Sequence, residues 1–316
     1  MAGAASLRAI IEKLPPFRPR LPWLGGDLQT MRNALVRPKP PIENWPGEPL
    51  AFDMADGTGD HLYGLLHRPT EDRRRPLAVL IHGIGGSRES SYIRTSAVHL
   101  LRAGYPVLRL NLRGAGGSET QQFYHAGRTE DLKRVIGSLD GRLAANGVVP
   151  VGFSLGANMM LKYLAECGAM APVLAAVSIS APIDLAAAQR RIARRRNRVY
   201  QQRMLEWLRS ERGVRLPPQL RTMIEFDTHV VAPANGFKDA QDYYRQCSAG
   251  SMLGAIRRPT LMIPVSYTHL TLPTKRQPAS APAAKGTRSA FMQRQRKADE
   301  SVPDERGFGN IRKRCC

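Results

Sequence analysis

PVGFSLGANMM, Pro150 to Met160, is the stretch that decides the fold. At its centre is a G-x-S-x-G pentapeptide, Gly152-Phe153-Ser154-Leu155-Gly156. An apolar run of strand length (VVPVGF) leads into it, and the small residues Ala157 and Asn158 open a helix-like run after it. Glycines on both sides of a serine let a tight strand-to-helix turn pass close to neighbouring backbone while the hydroxyl stands out at the top of a sheet, as in a nucleophile elbow. Ser154 is therefore the candidate nucleophile. A serine hydroxyl is a poor nucleophile alone, so the chain must also supply a base, an orienting acid and donors to an oxyanion.

Outward from this point, apolar strand-length runs alternate with helix-length segments. The strands are predicted at LAVLI (Leu77 to Ile81), PVLRLNL (Pro106 to Leu112), VVPVGF (Val148 to Phe153), LAAVSIS (Leu174 to Ser180) and PTLMI (Pro259 to Ile263). Between them SYIRTSAVHLLRAG, TEDLKRVIGSLDGRLAANG and GANMMLKYLAE carry helical spacing. Such alternation specifies an α/β fold, a mostly parallel sheet with helices on both faces. PLAFDMADGTGDHLYGLLHRP, from Pro49, reads as a hairpin at the sheet edge. The stretch between Ser180 and Pro259 is far longer than a crossover helix. Its helix-like pieces predict a lid, about residues 184–256, over the carboxyl edge where open α/β sheets bind ligands. Residues 1–47, rich in Pro and Arg, are expected to wrap a domain that spans 48–264.

HGIGGS, His82 to Ser87, follows LAVLI directly. Acyl transfer needs two backbone N–H groups aimed at the developing oxyanion, one from the residue after the nucleophile and one from the loop after the third strand. Leu155 and Ile84 occupy those positions and are the candidate oxyanion hole. A dinucleotide-binding G-x-G-x-x-G is excluded in this loop and in NLRGAGGSE (Asn111 to Glu119), because Arg88 and Glu119 stand where the third glycine belongs. His82 is too far upstream to be the base and is read as a brace for the loop. His125 is read as structural, ahead of a helix expected to be capped by Thr129.

With 316 residues, 42% of them hydrophobic, the chain can bury one large core. Its formal net charge of +21 is spread along the whole length, which argues against a nucleic-acid partner. The densest cluster, QRRIARRRNRVYQQR (Gln189 to Arg203), reads as one helix with a solvated basic face, with weak contact to a membrane surface as the alternative. The four cysteines, Cys167, Cys247, Cys315 and Cys316, have neither metal-ligand spacing nor a disulfide framework. No metal site is predicted. No long apolar run suggests a secretory signal or a transmembrane segment, which leaves the cytoplasm as the default compartment.

DLQTM (Asp27 to Met31), HGIGGS, NLRGAGGS, YHAGRTEDL, GFSLGANMMLKYL, SAPIDL (Ser180 to Leu185) and FDTHVVAPANGFKDAQDYYRQCS together resemble the YheT-like branch of the α/β hydrolases, over most of Phe17 to Ile263. The resemblance implies an α/β-hydrolase fold, a Ser-Asp-His triad, no cofactor, and hydrolysis of carboxylic esters with a short-chain or lipid-like acyl group. Acyl transfer to an alcohol at the same site, or a non-catalytic lipid- or protein-binding role, are the alternatives. It also implies an acid in the loop after PTLMI and a glycine-flanked histidine beyond a further strand. Here the sequence departs, because PTLMI is followed by PVSYTHLTLPT and no acid appears before Asp299. His229 precedes that strand and His269 follows it closely, so neither takes the implied place. Asp184 is a fallback acid with no histidine to serve. VSYTHLTLPT resembles one translated frame of a sequencing-library adapter. Residues 265–316 are thus expected to be foreign and disordered, the final strand and helix to be missing, and the chain as written to be inactive.

Overall fold

Apolar runs separated by helix-length segments collapse into a single layered structure. The computed structural model of the protein describes residues 21–24, 28, 32, 36, 38–71, 73–210 and 217–264. Its strands are β1 (Gly47–Asp53), β2 (His61–His67), β3 (Leu77–Ile81), β4 (Val107–Leu110), β5 (Val148–Phe153), β6 (Ala176–Ile179) and β7 (Thr260–Ile263). They form one sheet in the order β1-β2-β4-β3-β5-β6-β7. β1 and β2 make an antiparallel hairpin, β2 pairs antiparallel with β4, and the remaining pairings are parallel. The α/β fold with a mostly parallel sheet is thus as the alternation requires. Expectations that concern residues 265–316, His269 and Asp299 included, lie outside the described residues, as does most of residues 1–47.

Every residue of β3 and β4 is buried, as a central parallel strand covered on both faces demands. One face packs on helix α1 (Ser91–Arg102) through Ile93, Ala97, Val98 and Leu101. The other face packs on α2 (Thr129–Gly137) and α3 (Leu155–Cys167), with Leu132, Val135, Met160 and Leu164 in its core. Helix α2 is shorter than its predicted segment, ending at Gly137 before the turn residues Asp140 and Gly141. Thr129 does not cap it. Arg128 holds the cap position without a capping side-chain bond, and the Thr129 hydroxyl instead donates to Glu166 of α3 at 2.5 Å.

Between β6 and β7 lie α4 (Leu185–Ile192), α5 (Arg198–Ser210), α6 (Met223–Phe226) and α7 (Ala240–Cys247). The arginine cluster is not one helix. It breaks between α4 and α5 into a 3-10 turn, Arg195–Asn197, because buried Asn197 donates its side-chain amide to the Arg191 carbonyl and its N–H to Arg194 O. A short polar side chain that competes for backbone groups ends helices in this way. Fully buried Asn158 of α3 ties this segment to α3 and to the loop before α2, donating to Ala126 O and Cys247 O and accepting from Ala249 N–H.

Candidate active site

The turn from β5 into α3 is dictated by two glycines. A Cβ at Gly152 would lie 2.6 Å from Ala157 Cα, and one at Gly156 would lie 2.3 Å from the His82 carbonyl oxygen, so neither position tolerates a side chain. Between them Ser154 has φ +51° and ψ −119°, a backbone conformation that L-residues rarely adopt. Neighbouring bonds hold it there. Its N–H donates to Ile179 O of β6, and its carbonyl accepts from Ala157 and Asn158.

The HGIGGS loop runs alongside. A Cβ on Gly83 would sit 3.0 Å from Ser154 Cβ and 3.6 Å from its Oγ, so this glycine lets the loop pass against the serine. The Gly83 N–H donates to the Tyr92 hydroxyl at 3.0 Å, the Gly85 N–H to the Tyr124 hydroxyl at 2.6 Å, and the Gly86 N–H back to Gly83 O. Each of these donors is occupied. Among the described residues the N–H groups of Ile84 and of Leu155, the first residue of α3, have no acceptor.

His82 is buried with both ring nitrogens engaged. Nδ1 donates to Gly83 O at 2.8 Å, and Nε2 accepts from the Leu112 N–H at 3.0 Å. Since a carbonyl can only accept, the tautomer is fixed, and burial holds the imidazole neutral with its pKa lowered to about 4. It braces the loop and has no lone pair left for Ser154. His125 is likewise buried, edge-on to Phe237 and Tyr243, with its pKa lowered to about 3 by burial and by Arg128 and Lys162. Arg113 in the NLRGAGGSE turn is buried among Asp131 at 2.6 Å, Asp56 at 2.7 Å and Asp60 at 3.1 Å.

Ser154, Leu155 and the loop that carries Ile84 are therefore brought together, while among the described residues no acid or base is hydrogen-bonded to Ser154. Asp184 caps α4 by accepting from the Ala187 N–H, and His229 is exposed on the helical segment after α6. Sequence reasoning passed over three features. The Tyr92 and Tyr124 hydroxyls tether the loop, and Trp207 of α5 lies over Gly85, where a Cβ would meet its own Cβ at 2.7 Å. The third is Asp227, buried beyond α6, accepting from the Tyr244 hydroxyl at 2.5 Å and pushed up to about 7 by burial. None of these has a local signal, because each depends on partners far along the chain. Among the described residues no helix is long and apolar enough to cross a membrane.

The profile of the α/β hydrolase fold family matches residues 76–227, which contain the elbow, the HGIGGS loop and the arginine turn. The chain has the α/β-hydrolase fold. It is 33% identical over 210 residues to the putative esterase YheT of Escherichia coli, covering 62% of each chain. It is 28% identical over 225 residues to medium-chain fatty acid ethyl ester synthase/esterase 2 of Saccharomyces cerevisiae, covering 60% of this chain and 50% of that one. Among solved structures it is similar to the Pyrococcus furiosus esterase Pf2001, at TM-score 0.45 and 17% identity over 72% of this chain and 81% of that one. The chain spans about half to three fifths of the length of the curated relatives it matches.

Proposed function

We propose that this chain is a serine hydrolase that cleaves carboxylic esters, short-chain or lipid-like, through an acyl-enzyme on Ser154. The observation that carries the reading is the left-handed backbone of Ser154 beside two N–H groups without acceptors, those of Leu155 and Ile84. Such strain is retained where surrounding structure over-determines it and function uses it. The Ser154 oxygen adds to the ester carbonyl carbon as its proton passes to a base, and the carbonyl oxygen takes up the charge facing the two N–H groups. Collapse breaks the bond to the alcohol oxygen, which takes the proton from the base, and water then adds to the acyl carbon in the same way, so that the acid leaves and the proton returns to the Ser154 oxygen. An alcohol entering in place of water makes the same intermediate a transferase, and the yeast relative's name covers both outcomes. The helical segment at about 184–256 is read as a lid, with Trp207 placed on the loop that carries Ile84.

Among the described residues no histidine or carboxylate is hydrogen-bonded to Ser154, so the chain as written is expected to turn over esters very slowly. A chimera in which the residues after Ile263 are replaced by the corresponding segment of the Escherichia coli relative tests the proposal. It should hydrolyse short p-nitrophenyl esters, and Ser154→Ala should lower kcat by several orders of magnitude with the fold retained, since the members of a triad act as a unit. Turnover unchanged by Ser154→Ala would refute the nucleophile. No turnover from a folded chimera would leave the non-catalytic binding role.

A further inference from the structure

The chemistry at Ser154 makes no use of the most one-sided charge in the molecule. From Gln189 to Arg203 there are seven arginines and no acid. The break between α4 and α5 presents Arg190, Arg194, Arg195 and Arg198 to solvent, and among the described residues none of these four has an ion-pair partner. Nearby, Arg203 is paired with Glu206. Val199, the apolar residue that an amphipathic helix would turn inward, is 64% exposed in the first turn of α5. Eight residues further along the same helix Trp207 lies over Gly85, about 12 Å away at the α-helical rise.

We infer that this arginine-rich, valine-tipped corner between α4 and α5 is a docking surface for an anionic lipid bilayer, placed one helix length from the loop beside Ser154. Guanidinium groups match lipid phosphates in charge and geometry, and an aliphatic side chain among them enters the interface between headgroups and acyl chains. The combination favours a bilayer over nucleic acid. Single strands are held by stacking bases on exposed aromatic rings, and the one aromatic residue in the stretch, Tyr200, is half-buried. The inference goes beyond the ester chemistry and does not need Ser154 to react.

The test is sedimentation of the full chain with phosphatidylcholine vesicles that contain, or lack, phosphatidylglycerol as roughly a third of the lipid. Binding is expected to the anionic vesicles alone. Each arginine near an anionic surface is worth about fivefold in affinity, so the triple substitution Arg194→Gln, Arg195→Gln, Arg198→Gln should weaken it on the order of a hundredfold. Circular dichroism should be unchanged, because the three side chains are exposed. Since basic residues elsewhere also attract anionic lipid, a second variant reads the site directly. Val199→Trp should add an indole emission that brominated phosphatidylglycerol quenches. Anionic-vesicle binding unaffected by the triple substitution, an unquenched indole at position 199, or a patch that binds duplex or single-stranded nucleic acid but not vesicles would each overturn the inference.

Discussion

The centre of the sheet and its last described strand are both mostly apolar and sit in opposite surroundings. LAVLI in β3 is fully buried and paired on both sides, by β4 and β5. TLMI in β7 pairs with β6 along one side, and Leu261, Met262 and Ile263 are 37%, 40% and 43% exposed. Among the described residues no strand lies beyond β7. The contrast bears on the site. The part of the proposed centre around Ser154 is built from glycine turns at the ends of buried strands and from tethers by the Tyr92 and Tyr124 hydroxyls. The acid and base that the resemblance leads one to expect would come from loops beyond β7, and among the described residues neither is hydrogen-bonded to Ser154.

The largest expected effect is on the central side. Arg113→Ala removes the partner of Asp131 and Asp60, both buried, and an uncompensated buried charge costs about 3–5 kcal/mol. Denaturant unfolding should show that loss, and a change below about 1 kcal/mol would mean Arg113 does not tie the β1–β2 turn to α2. Asn158→Ala should come next. It leaves Ala126 O, Cys247 O and the Ala249 N–H without their partner, and a cost of about 2–3 kcal/mol is expected from unmet buried backbone groups. It should also loosen the junction with α7, read as faster amide exchange at Ala249.

Two buried groups should answer pH in opposite directions. His82 is neutral in the fold, with its pKa lowered to about 4 by burial, so the unfolded chain takes up a proton first. Its contribution is complete above about pH 6.5 and is lost on acidification toward about pH 4, at up to about 1.4 kcal/mol per unit. Asp227 runs the other way. Burial pushes it up to about 7, so its carboxyl is protonated in the fold, and its contribution, present at and below about pH 3.8, is lost as pH rises toward 7. In Asp227→Asn, stability relative to the parent should therefore rise from about pH 4 to about pH 7 and level off above. A difference that stays flat across that window would place Asp227 in water.

The smallest effect is expected at the edge strand. Met262→Thr should change stability by no more than about 0.5 kcal/mol, because the side chain is already partly in solvent. Val79→Thr in β3 buries a hydroxyl among apolar neighbours and should cost about 1–3 kcal/mol. Equal costs at the two positions would show that β7 is covered as fully as β3.

What could be read from the sequence follows the same division. The G-x-S-x-G turn and the alternation of strands and helices were legible because their demands are local: a Cβ at Gly152 collides with a residue five positions away. The hairpin was legible from its Gly/Asp turn. The tethers were not, because Tyr124 reaches Gly85 across 39 residues and a tyrosine in a strand-and-helix pattern reads as core. Nor was the break at Asn197, where one amide bonded to Arg191 O outweighs the helix propensity of the arginines around it. Thr129 matched a capping pattern and was taken instead by Glu166, a residue of α3 that no local pattern links to it.

The central claim proposed for the site is that Ser154 is a nucleophile beside the Leu155 and Ile84 N–H groups, with no base hydrogen-bonded to it among the described residues. Labelling of the full chain with a fluorophosphonate, followed by mass spectrometry of the modified peptide across about pH 6 to 9, tests this most directly. The expected result is slow labelling confined to Ser154 and absent in Ser154→Ala, with a rate that climbs with hydroxide and shows no step near the ordinary histidine pKa of about 6.5. Rapid labelling with an inflection near that pH would show that a histidine does reach the serine, and adducts elsewhere than Ser154 would remove it as the nucleophile.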